Sequence, residues 1–231
     1  MKNSLPEVIE QKRFTSPAPA PQALTFFSGF IWLGSRDLSR IYKLNPKNGA
    51  VLEEHASPGK PWAAVATGST IRFTIGEGSE DDRYILEYKP GEKFNPNGNA
   101  RGSDGLPARI PCPDLTGSYL SWDGKRLYLS QWYRGRILEL DEDGGIKREI
   151  TVGEEISGHV FVNGSIYVLR GTEKVEGERW RIAKFNLSEA KPVVEDVAQI
   201  PFACRSLAFD GTNFWSNHRA ANTIISFSLP E

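Results

Sequence analysis

Apolar and polar residues alternate along this chain in short runs separated by turn signals, and no stretch of useful length repeats with the spacing of a helix. Laid under one another, five segments share one pattern: QALTFFSGFIWLGS from Gln22, WAAVATGSTIRFTI from Trp62, SYLSWDGKRLYLSQ from Ser118, SGHVFVNGSIYVLR from Ser157 and RSLAFDGTNFWSNH from Arg205. Each is an apolar run, a turn, then an aromatic or β-branched run. Asp123-Gly124, Asn163-Gly164 and Asp210-Gly211 occupy three of the turns, and such pairs tolerate the positive φ of a two-residue hairpin. A second hairpin follows the first, as in RIYKLNPKNGAVLEE from Arg40, RILELDEDGGIKREI from Arg136 and RIAKFNLSEAKPVVEDV from Arg181. The pattern predicts four antiparallel strands per repeat.

Trp32, Arg72, Tyr128, Tyr167 and Trp215 hold the same place in their repeats, at separations of 40, 56, 39 and 48 residues. A four-stranded propeller blade repeats about every 40 to 50 residues. The expectation is therefore an all-β, five-bladed β-propeller that occupies 1–231 as a single domain. The longest interval contains GEKFNPNGNARGSDGLPARIP from Gly91, read as a surface-loop insertion at about 91–110. The fifth repeat stops after three strands, at TIISFSLPE. Val8-Ile9-Glu10-Gln11 before Ser16-Pro17 parallels Val51-Leu52-Glu53-Glu54 before Ser57-Pro58, so the N-terminal strand is expected to complete the C-terminal blade. Closing the ring in this way protects sheet edges that would otherwise template aggregation.

In such a blade the turns between strands one and two and between three and four share one face of the ring. Here they are plain pairs such as Asp123-Gly124, Asn48-Gly49 and Gly144-Gly145. The other connections, including 35–40, 76–83, 131–136, 171–179 and 217–222, are longer and irregular, and binding groups collect on such loops. The site is expected at the channel mouth on that second face.

Composition narrows the partners. Hydrophobic residues make up 39%, charged residues 25% and aromatic residues 11%, enough for a packed core and unlike a disordered chain. A formal net charge of -1 with interspersed signs gives no reason to expect nucleic acid or an anionic membrane. MKNSLPEVIEQKRF contains no apolar run of signal-peptide length, so the expected location is cytoplasmic. A monomer is expected, with Cys112 and Cys204 as free thiols.

His159 opens the inner strand of the fourth repeat and His218 follows the second strand of the fifth. A histidine near neutrality serves as acid, base or metal ligand, which makes these two the catalytic candidates. Arg36, Arg170 and Arg205 lie near strand ends facing the mouth, where guanidinium forks suit a carboxylate or phosphate; pairing with Asp37, Asp114, Glu154 and Glu155 is the competing role. Trp62 and Trp132, with Tyr133, offer stacking faces or fill gaps between blades. The acidic loop from Glu77 to Asp82 lacks the Gly-punctuated order of a calcium loop. The ligand-binding candidates are Arg36, Trp62, Asp114, Trp132 and Arg205, and no metal ligands are identified.

SPGKPWAAVATG and RSLAFDGTNFWSNHRAANTIISF resemble the repeats of a broad propeller group that includes NHL repeats, SMP-30 lactonases, streptogramin lyases and plant-type glutaminyl cyclases. The resemblance covers nearly the whole chain at the level of repeats. A lactonase would place acidic and Asn metal ligands at inner-strand starts, where this chain has Gln22, Trp62, Ser118, His159 and Arg205. A glutaminyl cyclase would place glutamates there, and Glu154 and Glu155 are the nearby substitutes. A streptogramin lyase implies a histidine base and a divalent metal ion, which His159 and His218 permit. The expected function is binding of a small polar or anionic ligand, or a peptide, at the channel mouth. The alternative is an enzyme of the lyase, cyclase or hydrolase type using His159 and His218.

Overall fold

The computed structural model describes residues 5–92, 94, 101–173, 179–188 and 192–230. Strand β1 (Ile9–Thr15) pairs with the last strand of the chain. The first blade follows as β2 (Pro21–Phe27), β3 (Phe30–Ser35), β4 (Arg40–Leu44) and β5 (Val51–Ala56). The second is β6 (Lys60–Thr67), β7 (Thr70–Glu77), β8 (Asp82–Tyr88) and β9 (Arg109–Pro111), and the third is β10 (Leu120–Trp122), β11 (Leu127–Gln131), β12 (Arg136–Leu140) and β13 (Ile146–Thr151). The fourth is β14 (Glu155–Val162), β15 (Ser165–Thr172), β16 (Arg179–Asn186) and β17 (Glu195–Ile200), and the fifth is β18 (Cys204–Phe209), β19 (Phe214–His218) and β20 (Thr223–Ser228) completed by β1. The chain is a five-bladed propeller of four-stranded antiparallel sheets.

Burial explains the strand patterns. Inner and middle strands pack on both faces and read as nearly continuous apolar runs, as in β2 and β7, whereas the outer β5 and β13 alternate toward solvent. Five hydrophobic clusters fill the five gaps between blades. One joins Leu24 and Leu33 of the first blade to Trp215 and Ile224 of the fifth, so the interface that closes the ring has a core like the others. β1 runs antiparallel to β20 from Ile9 opposite Ser228 to Thr15 opposite Thr223. The Ser16 N–H donates to Asn222 O at 2.7 Å, and the Val8 N–H donates to Gln199 O at 3.0 Å, which ties the segment to the fourth blade as well.

The insertion departs from the expectation of a surface loop. Residues 93 and 95–100 lie outside the described residues, but Leu106, Ala108 and Ile110 are buried and 109–111 form the fourth strand of their blade. The cause is Arg72. It occupies a repeat position that is aromatic in the other blades and is fully buried, and Asp104 reaches in to meet it. Cys112 and Cys204 are buried and form no disulfide, and burial pushes the Cys112 thiol up to about 12. Among the described residues no helix is long and apolar enough to cross a membrane.

Candidate functional site at the channel mouth

Strand irregularities aim side chains at one end of the channel. The ladder between first and second strands slips at Pro21/Ala23, Pro61/Ala63, Ile156/Gly158 and Arg205/Ala208. Each slip is a bulge near the start of an inner strand, and bulges re-aim the residues they contain. Gln22 and Trp62 are two of the residues left out of the ladder. On the same face, Arg36, Trp132, Glu173 and Arg219 each directly follow a second strand, which ends at Ser35, Gln131, Thr172 and His218 respectively. Trp132 and Arg219 open matching 3-10 turns, closed by Gly135 and Asn222 with φ of 55° and 50°, a conformation Gly and Asn adopt at low cost.

These residues surround a cavity of ≈ 470 Å³ on the face of irregular loops, to which all five blades contribute. Its charge is mixed. Arg83 pairs with Asp81 at 3.3 Å, Arg134 with Asp114 at 2.7 Å, and Arg205 with Glu173 at 2.8 Å, while Arg36 pairs with its neighbour Asp37 at 3.2 Å. Trp62 donates Nε1–H to Asp81 at 3.1 Å, and the guanidinium groups of Arg83 and Arg36 lie 3.8 and 5.1 Å from its ring centroid. Arg205 sits 4.8 Å from the Trp132 ring.

Arg219 differs. It lines the cavity half-buried, and among the described residues it has no carboxylate partner. Its Nη1–H donates to Gln22 Oε1 at 2.8 Å. Burial lowers its pKa, Arg205 and Arg36 lower it further, and Tyr119 and Glu173 oppose the shift. Two other guanidinium groups, Arg205 and Arg36, therefore act on Arg219. Gln22 completes the cavity floor, because its Nε2 donates to Tyr119 Oη at 2.8 Å across the ring from the first blade to the third. Ser206 Oγ and Asn217 Nδ2 both donate to the Gln22 carbonyl oxygen, at 2.7 and 3.2 Å.

Arg36, Trp62, Asp114, Trp132 and Arg205 all line the cavity. His159 does not, which corrects its expected place at the mouth. Its ring is buried between the third and fourth blades, 2.6 Å from Ser121 Oγ through Nδ1 and 3.1 Å from Tyr119 O through Nε2. Desolvation lowers its pKa to about 4, so it is a neutral core residue at pH 7. His218 is stacked on Phe202 at 5.6 Å and also lies outside the cavity lining. The two histidines thus do not converge on the cavity. Arg170 is held away from it by Asp196, and Glu154 pairs with Arg181. Within the acidic loop, Glu77 is committed to Arg109 at 2.7 Å. Among the described residues no group of three or more His, Cys, Asp and Glu side chains gathers as a metal site would need.

Sequence reasoning did not single out Arg219, Gln22, Tyr119 or Glu173. A signal for Tyr119 existed. Counting two residues back from the partners of Trp32, Arg72, Tyr167 and Trp215 gives Ala23, Ala63, Gly158 and Ser206, and Tyr119 stands alone as a large ring at that position.

No protein-family model matches the chain, and no curated protein matches it. Solved structures do. Glutaminyl cyclase from Myxococcus xanthus aligns with a TM-score of 0.71 at 9% identity over 98% of each chain. A regucalcin described as calcium-binding, from Agrobacterium tumefaciens, aligns at 0.59 with 11% identity over 98% of this chain and 94% of its own. A catalytically inactive virginiamycin B lyase from Staphylococcus aureus, solved with quinupristin, aligns at 0.53 with 14% identity over 94% and 83%. At these identities the likeness is one of fold, shared with the broad propeller group that the repeats resemble.

Proposed function

We propose that this propeller binds a small anionic ligand at the irregular-loop mouth of its channel. The observation that carries the reading is Arg219, a half-buried guanidinium lining the cavity that makes no ion pair among the described residues, with Glu173 acting on it only from beyond contact. A cation held away from water in this way gains from a charge-assisted hydrogen bond with an incoming anion. Arg36 and Arg205 add to the local positive field, and Trp132 supplies an apolar wall. Isothermal titration of small carboxylates and phosphate into the wild-type protein and Arg219→Gln tests it. Binding that weakens by about tenfold to a hundredfold in the variant supports the reading. Equal binding by both proteins refutes it.

A catalytic role of the cyclase, lyase or hydrolase type draws on a different observation. Glu173 is a carboxylate in the same cavity, 2.8 Å from Arg205, and a proton shuttle needs such a group. The fold likeness to glutaminyl cyclase and virginiamycin B lyase gives this reading a direction. Mass spectrometry of a peptide with N-terminal glutamine, incubated with wild type and with Glu173→Gln, tests it. Loss of ammonia that is abolished in the variant is the supporting result.

A further inference from the structure

We infer that the Tyr119 hydroxyl is a second binding group of the cavity floor and that, together with Arg219, it selects a monocarboxylate. The inference rests on the anion-binding reading and deepens it. Its basis is hydrogen-bond direction. A guanidinium only donates, so the Gln22 atom 2.8 Å from Arg219 is the amide oxygen. The amide nitrogen must then face Tyr119 Oη, at 2.8 Å, and because that nitrogen only donates, the tyrosine oxygen accepts. The phenolic proton is thereby turned away from Gln22, and among the described residues no acceptor takes it. Tyr119 lines the cavity and is 2% exposed, so its proton is a buried donor without an acceptor, a state that costs stability until one arrives. Desolvation pushes the hydroxyl up to about 12, which keeps it protonated at neutral pH.

The floor therefore presents two donors of fixed origin, one charged and one neutral. Gln22 orients both, its amide oxygen turned to Arg219 and its amide nitrogen to Tyr119. Charge sets the valence. The lining holds five arginines and five carboxylates, Glu80 and Asp82 among them, so it has no excess charge with which to meet a dianion, and Arg219 is the arginine that has no carboxylate within ion-pair distance among the described residues. One negative charge with two oxygens satisfies it. A dianion would bring a second negative charge beside Glu173.

The test uses benzoate and inorganic phosphate at pH 7 and constant ionic strength, followed by ligand-observed NMR titration on the wild-type protein, Tyr119→Phe and Arg219→Gln. The expected result is benzoate bound more tightly than phosphate, with Tyr119→Phe weakening benzoate by about tenfold while its melting temperature stays close to wild type. Equal benzoate affinity for wild type and Tyr119→Phe overturns the role of Tyr119 while leaving the anion reading standing. Phosphate bound more tightly than benzoate overturns the monocarboxylate selection. Undiminished binding of both probes by Arg219→Gln overturns the anion reading itself. Should Tyr119→Phe not fold, the tyrosine ultraviolet difference spectrum of the wild type on adding acetate decides: a red shift supports the donated hydrogen bond, and an unchanged spectrum refutes it.

Discussion

The guanidinium of Arg72 grips the carboxylate of Asp104 through two hydrogen bonds, at 2.7 and 2.5 Å, with 0% and 2% of the two side chains exposed. Arg72 also donates to the carbonyl oxygens of Pro107 and Leu106. A charged side chain in a propeller core thus pins the inserted segment to the second blade. Removing one partner of such a pair strands the other charge, so Asp104→Ala is expected to lower stability by about 3–5 kcal/mol. Replacing both residues by apolar ones of similar size is expected to cost less than Asp104→Ala alone. Burial raises the Asp104 pKa, but the hydrogen bonds and charge of Arg72, helped by Thr67 and the Leu106 N–H, bring it below the ordinary value. The pair's contribution is therefore present above the unfolded carboxyl pKa of about 4 and lost as pH falls through the lower folded value. Urea unfolding of wild type and Asp104→Ala across that range measures both effects.

His159 makes stability depend on pH in a separate window. Its folded pKa of about 4 lies below the ordinary imidazole value of about 6.5, so the unfolded chain binds the proton first. Stability is complete above 6.5 and falls as pH drops toward 4, by on the order of 3 kcal/mol. A His159→Gln variant, titrated by urea unfolding between pH 7 and 4, should lose that slope. If the slope is unchanged, His159 is not the titrating group.

Which parts of this could be read from the chain follows from where the information sits. Alternation and the turn pairs Asp123-Gly124, Asn163-Gly164 and Asp210-Gly211 are local, so the blades, and even the closing strand at Ile9–Thr15, were legible. Arg36, Trp132 and Arg219 each stand four residues after a repeat aromatic, at Trp32, Tyr128 and Trp215, so their place is periodic too, whereas Glu173 stands six after Tyr167 because its strand runs longer. The bulges at Gln22 and Trp62 are not local, because they arise where an inner strand meets its neighbours around the ring. Asp37, the neighbour of Arg36, was legible as a partner, but the distant partners of the other arginines were not, for the same reason. Arg205 meets Glu173, 32 residues away, while Arg219 meets Gln22 from 197 residues away.

Ring closure is testable by truncation. β1 supplies the outer strand of the fifth blade and also bonds to the fourth through Val8 and Gln199. Deleting residues 1–14 exposes the edge of β20 and uncovers Ile224 and Ile225, which are fully buried. The truncated chain is expected to melt at a lower temperature and to aggregate more readily, since an open strand edge templates pairing. Melting like the full chain would remove the ring as a source of stability.

At Gly158 the fourth blade packs directly on the backbone of the fifth. A Cβ there would lie 2.6 Å from the Leu207 nitrogen and 2.6 Å from the Ser206 carbonyl carbon, both backbone atoms. Backbone cannot swing aside as a side chain can, so Gly158→Ala is expected to cost about 1–3 kcal/mol. Ser206 also holds the Gln22 carbonyl, so the displacement should reach the cavity floor and weaken anion binding. Chemical denaturation and benzoate titration of this variant measure the two consequences together.

Gln22 offers the sharpest separation of charge from shape. It is 1% exposed, its amide oxygen already faces Arg219 at 2.8 Å, and a carboxylate occupies nearly the same volume. Gln22→Glu would place an internal anion beside the Arg219 guanidinium, and the Tyr119 hydroxyl, freed from accepting, would turn to donate to it. A buried carboxylate is tolerated when it is paired and hydrogen-bonded, and here both partners are in place. The variant is expected to fold with a melting temperature close to that of the wild type and to lose benzoate binding at pH 7, because its own carboxylate takes the role of the ligand. Gln22→Leu removes the acceptor without adding charge, so it should destabilise the floor yet keep the attraction of Arg219 for an anion. A Gln22→Glu protein that binds benzoate as the wild type does would mean that the anion is held elsewhere than at Arg219.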